Sequence, residues 1–198
     1  MSEYDAEANA LTLLKSLPPR FRSDELQVLQ HMTKSADGEA VPYFVIYRKG
    51  LKLDGSTPTI LYGYGGFEIS LKPSYSATIG KLWLERGGAY AVANIRGGGE
   101  FGPRWHKAAL KTNRQRAYDD FIAVGEDLAR RGITSPRRLG ISGGSNGGLL
   151  VGAIFTQRPD LLNAVVCRVP LLDMLRYCLL YTSDAADEGL GVDLGGRR

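Results

Sequence analysis

The spacing of apolar positions changes character near residue 58. Before it, residues 26 to 33 (LQVLQHMT) and 41 to 48 (VPYFVIYR) read as two strands around a polar turn containing Asp37-Gly38, the dipeptide that favours a hairpin. After a polar link with Gly50, Asp54-Gly55 and Pro58, strand-like and helix-like runs alternate. Strands are predicted at 59 to 62 (TILY), 89 to 95 (AYAVANI), 138 to 142 and 163 to 169 (NAVVCRV), with helices near 76 to 86, 116 to 130 and 146 to 157. Such alternation predicts an α/β protein with a mostly parallel sheet covered on both faces, opened by an antiparallel hairpin. The clearest helix puts Ala117, Phe121, Val124 or Gly125, and Leu128 on one stripe, with Asp119, Asp120, Glu126 and Asp127 mostly off it. Gly132 and Pro136 then stop it.

At 198 residues and 43% hydrophobic content, one core is expected. A formal charge of +4 is too mild to suggest a nucleic-acid partner, and the basic pairs Arg130-Arg131 and Arg137-Arg138 are expected on a solvated surface. Cys167 and Cys178 have no metal-ligand spacing with His31 or His106, so two free thiols are expected, with no metal site. The N-terminus lacks the pattern of a signal peptide, and no apolar run approaches membrane-spanning length, so a soluble chain is expected. Cytoplasm and periplasm both stay open. Composition shifts near Tyr181: SDAADEGLGVDLGGRR has no aromatic residue and few large apolar ones, so 181 to 198 is expected to join no core. LLYTSDAADE also resembles the peptide obtained when sequencing-adapter DNA is translated, which places the loss of the authentic frame near Cys178.

The candidate chemistry lies in Gly143-Gly144-Ser145-Asn146-Gly147, a G-x-S-x-G match between a short apolar strand and a helix-like run. That setting is a nucleophile elbow: glycines let the backbone segments approach, the serine projects above the sheet, and the helix N-terminus points free N–H groups at a developing oxyanion. A connecting glycine-rich loop is the alternative. Tyr62-Gly-Tyr-Gly-Gly-Phe67 follows the first strand of the alternating region, where α/β-hydrolases place the other half of the oxyanion hole. A second glycine run, Gly97 to Gly102, satisfies G-x-G-x-x-G with Asp119 and Asp120 downstream, the pattern of a dinucleotide site. Pro103 and its place in the second crossover favour a structural loop near the active site instead.

With YGYGGF, NIRGGGEFG, GGSNGGLL and VPLLDMLRY in that order, the chain from about Phe21 to Tyr177 resembles the catalytic α/β-hydrolase domain of the prolyl oligopeptidase family of serine peptidases. YGYGGF with Asn146 is closer to the branch that names the family than to oligopeptidase B. The resemblance implies hydrolysis of short peptides through an acyl-enzyme on Ser145, without metal or cofactor. It implies an oxyanion hole of the Asn146 N–H and the Tyr64 hydroxyl, with Phe67 lining the substrate pocket. It also implies that residues 1 to 20 are the last strand of a preceding propeller plus the return linker, and that 21 to 180 are part of the peptidase domain. In this fold the partners follow the nucleophile in the order Ser, Asp, His, yet no histidine follows Ser145. His31, His106 and Asp173 are given structural roles, because the family's acid lies one strand beyond Asp173. The chain as written is therefore expected to be an inactive fragment lacking its catalytic Asp and His. An esterase or acylaminoacyl-peptidase on the same fold, and a hydrolase-like binding protein that keeps the elbow as architecture, are the alternatives.

Overall fold

The computed structural model describes residues 2 to 173 and 176, apart from residues 7 and 17. The chain opens with a small antiparallel sheet of β1 (Ser2–Asp5) and β2 (Ala10–Leu13), whose Tyr4, Leu11 and Leu13 are exposed. The main sheet begins with β3 (Leu26–Lys34) and β4 (Ala40–Arg48), the hairpin that Asp37-Gly38 signalled, with Gly38 at φ 85° in the turn. It continues through β5 (Thr59–Tyr62), α1 (Ala77–Leu82), β6 (Ala89–Ala93), α2 (Pro103–Lys107) and α3 (Gln115–Arg130). Then come β7 (Leu139–Gly144), α4 (Asn146–Gln157) and β8 (Ala164–Arg168).

The six strands lie in the order β3-β4-β6-β5-β7-β8. β6, β5, β7 and β8 are parallel, and β4 joins β6 antiparallel, so the sheet is mostly parallel as expected. From β5 the chain steps one way to β6, then crosses back to β7 on the other side. This reversal opens a crevice between the C-terminal ends of β5 and β7, the place where open α/β sheets bind ligands.

The expected helix near 76 to 86 is shorter. α1 stops at Leu82 and a 3-10 turn, Leu84–Arg86, follows, because Gly87 and Gly88 lead the chain into β6. One sheet face presents Val41, Tyr43, Val45, Leu61, Ala91, Leu139 and Ile141, all buried, to Phe121, Val124 and Leu128 of α3 and Leu150 and Ile154 of α4. Burying a side chain of Phe or Leu size contributes about 1.5–3 kcal/mol, so this face carries the fold. The opposite face is only partly covered by α1: a cleft of about 650 Å³ there is lined by residues such as Ile46, Tyr62, Tyr90 and Val92.

α3 departs from the expected amphipathic pattern. Asp120 and Asp127, set apart from the apolar stripe, are buried at 0% and 1% exposure. Each carboxylate meets a cation that makes burial tolerable. Arg96 grips Asp120 through Nε at 2.9 Å and Nη2 at 2.6 Å, and reaches Asp37 in the hairpin turn with Nη1 at 2.5 Å. Burial works against the Arg96 charge, but the hydrogen bonds to Asp120 and Asp37 outweigh it and raise its pKa further. Asp127 accepts from the Tyr43 hydroxyl at 2.6 Å and from Arg131 Nε at 2.7 Å, and pairs with Arg130. The Arg130-Arg131 pair is thus engaged in ion pairs rather than merely solvated, whereas Arg137 and Arg138 are exposed.

Cys167 is a free, half-buried thiol; Cys178 and the tail 181 to 198 lie outside the described residues. Among the described residues no helix is long and apolar enough to cross a membrane, and no cluster of three His, Cys, Asp or Glu could hold a metal.

Candidate active site

Ser145 stands between β7 and α4 with φ 57° and ψ −118°, a conformation that costs a non-glycine residue about 1–3 kcal/mol. The surroundings hold it there. Its N–H donates to the Arg168 carbonyl of β8 at 3.0 Å, and its carbonyl accepts from Leu149 N–H at 3.1 Å. The glycines on either side are required by close approach: a Cβ on Gly143 would lie 2.1 Å from the Gly147 carbonyl oxygen, and one on Gly147 would lie 2.7 Å from that of Gly63. No side-chain bond from Ser145 caps α4. Among the described residues none is hydrogen-bonded to its hydroxyl, which is free to react. Helix geometry leaves the first-turn N–H groups of α4, Asn146 among them, without an i−4 carbonyl partner and at the positive end of the helix dipole.

The YGYGGF turn leaves the end of β5, the strand paired with β7, and so meets the elbow directly. The Tyr64 ring edge is 3.6 Å from where a Cβ on Gly147 would sit. Asn146, 6% exposed, donates from Nδ2 to the Tyr64 carbonyl at 2.6 Å. Phe67, at φ 52° and 62% exposed, tilts against Tyr64 with ring centroids 6.5 Å apart. The four residues singled out in the sequence, Ser145, Asn146, Tyr64 and Phe67, therefore share one end of the sheet.

Sequence reasoning missed Arg114, the residue just before α3, which donates to the Gly65 carbonyl at 2.5 Å and to Asn146 Oδ1 at 3.4 Å. No local signal marks it: its partners lie 49 and 32 residues away.

The second glycine run packs against the same turn. A Cβ on Gly97 would be 2.3 Å from the Gly65 carbonyl oxygen, so its glycine is needed for loop contact, not for a pyrophosphate. Of the two acids that a dinucleotide site would use, Asp120 is committed to Arg96 and Asp119 accepts from Gln115 Nε2 at 2.9 Å. His106 ties the two loops together. Its Nδ1 lies 2.7 Å from the Gly97 carbonyl oxygen, to which it donates when protonated there, and 3.2 Å from the Glu68 nitrogen, whose N–H also reaches that carbonyl at 3.3 Å.

His31 sits opposite Tyr43, and burial, followed by the Arg131 charge, pushes its pKa below the ordinary imidazole range. Asp173 pairs with Arg176 at 3.1 Å. Neither residue is bonded to Ser145.

Comparison with known proteins agrees with this geometry. The model of the prolyl oligopeptidase family matches residues 73 to 192. An uncharacterized peptidase of Sinorhizobium fredii is 61% identical over 87% of this chain and 24% of its own length. The prolyl endopeptidase of Elizabethkingia meningoseptica is 54% identical over 72% of this chain and 20% of its own. The structure of a post-proline cleaving enzyme from Rickettsia typhi superimposes with a TM-score of 0.84 at 42% identity, covering 94% of this chain and 28% of that one. The chain spans about a quarter of the length of the relatives it matches. Elbow, facing turn and mostly parallel sheet are those of a partial α/β-hydrolase catalytic domain, and the chain belongs to the prolyl oligopeptidase family of peptidases.

Proposed function

We propose that this chain supplies the nucleophile and the oxyanion site of a serine endopeptidase that cleaves short peptides through an acyl-enzyme. The observation that carries this reading is the strained Ser145 at the end of β7, facing the Tyr64 turn, its hydroxyl without a hydrogen bond among the described residues. Ser145 Oγ attacks the scissile carbonyl carbon, its proton passing to a base. The carbonyl oxygen takes up the electron pair between the Asn146 N–H and the Tyr64 hydroxyl. Collapse of that intermediate breaks the C–N bond, the amine leaves with the proton, and water hydrolyses the ester.

The 198 residues contain only His31 and His106, whose partners lie elsewhere, so base and acid come from outside this chain. By itself the chain retains at most a small residual rate, because triad members act as a unit. Residues 21 to 180 form part of the peptidase domain, and 1 to 20 the end of a preceding propeller and its linker. Cleavage after proline is supported by the names of two relatives, prolyl endopeptidase and post-proline cleaving enzyme, and by the apolar Phe67 ring beside Tyr64.

The test uses the protein expressed from its complete coding sequence, with an internal prolyl peptide and a simple ester as substrates. Cleavage after proline, abolished in Ser145→Ala, is expected. Turnover of the ester alone would replace peptidase by esterase, and no turnover of either would leave a binding protein.

A further inference from the structure

We propose that Arg114 is a positioning residue for the oxyanion site, acting on Tyr64 and Asn146 through the backbone of the YGYGGF turn. This rests on the reading of Ser145 above. The turn contains Gly65 and Gly66, which have no side chains with which to brace it, so the brace must come from other segments. Two adjacent carbonyls are held: that of Tyr64 by Asn146 Nδ2 at 2.6 Å, and that of Gly65 by Arg114 Nη1 at 2.5 Å. The two braces are themselves joined, since Arg114 Nη2 approaches Asn146 Oδ1 at 3.4 Å.

The junction matters because an amide can sit either way round. A guanidinium has only donors, so the Asn146 oxygen must face it. The NH₂ group is then the one that meets the Tyr64 carbonyl. A flipped amide would set two oxygens against each other and two donors together. Arg114 is itself held over the Tyr118 ring, 5.4 Å from its centroid, and its Nε is buried without a hydrogen-bond partner among the described residues. One cation thus locks the residue that offers the N–H and the turn that offers the hydroxyl into a single unit. Its position before α3 also ties that unit to the longest helix.

The carbonyl oxygen of a substrate gains its charge only on the way to the tetrahedral intermediate, so misplaced donors lower kcat rather than substrate affinity. Losing one oxyanion donor costs about 100- to 1,000-fold, and misplacing both by a fraction of an ångström is expected to cost about tenfold or more.

The decisive experiment is a double-mutant cycle in the protein expressed from its complete coding sequence. Arg114→Ala, Tyr64→Phe and the pair are measured for kcat and KM on a prolyl peptide. Arg114→Ala is expected to lower kcat about tenfold or more with KM within about twofold. In the Tyr64→Phe background its effect should shrink by at least about threefold, because the hydroxyl it positions is gone. Arg114→Lys should recover part of the loss, since one ammonium can serve the Gly65 carbonyl but not also the amide. Unchanged kcat, or effects that simply multiply in the pair, would overturn the proposal. Should Arg114→Ala not fold, the same cycle with Arg114→Lys decides by the same criterion. A Ser145→Ala control separates the two levels: retained activity there overturns both readings, whereas a dead control with multiplicative effects overturns only the role of Arg114.

Discussion

A serine held at φ 57° stores backbone strain, and that strain has a measurable counterpart. Glycine at 145 would relieve about 1–3 kcal/mol of it while adding about 0.5–1 kcal/mol of chain entropy to the unfolded state. Ser145→Gly is therefore expected to raise unfolding stability by about 1 kcal/mol while abolishing reaction, read from a denaturant titration beside an activity assay. Gly143→Ala should do the reverse to the fold. Its Cβ would enter the Gly147 carbonyl at 2.1 Å, and the resulting shift should cost about 1–3 kcal/mol in the same titration. These residues were legible in the sequence because the chemistry is local: a strand, G-x-S-x-G and a helix within twenty positions. Arg114 was not, because its meaning comes from one carbonyl oxygen and one amide oxygen brought to it by the turn after β5 and the start of α4.

At the level of elements, α3 is where the periodic pattern misled. An aspartate reads as a solvent-facing residue, yet Asp120 and Asp127 are buried because Arg96 and Tyr43 approach from the loop after β6 and from β4, 24 and 84 residues away. Removing Asp120 takes the buried carboxylate from a guanidinium that is 4% exposed and leaves it paired with the half-exposed Asp37, so Asp120→Ala is expected to cost about 3 kcal/mol in chemical denaturation. Asp127 gives a pH signature. Burial would raise its carboxyl pKa, but the hydrogen bonds of Arg131 and Tyr43 and the Arg130 charge outweigh burial and hold it below the usual carboxylate range. A folded pKa below the unfolded value means that this contribution is complete above the unfolded value, about 3.9, and is lost as pH falls through the folded one. Midpoints measured from pH 7 down to 2 should fall less steeply in Asp127→Asn than in the parent. The alternation of strands and helices, by contrast, was visible throughout, since burial on a sheet sets period and run length directly.

Across the molecule, the order β3-β4-β6-β5-β7-β8 reverses direction at β5 and β7, and both halves of the candidate site spring from that crevice. The sequence placed the motifs in order but could not show that the strands bearing them are neighbours. Among the described residues the two faces of the sheet are unequal: one is sealed by α3 and α4, the other is partly covered by α1. Labelling with a fluorophosphonate followed by peptide mapping is the most direct test of the strained serine as a nucleophile. In the protein expressed from its complete coding sequence, a single adduct is expected on the peptide containing Ser145, absent in Ser145→Ala. An adduct on another residue, or labelling that survives that substitution, would contradict it.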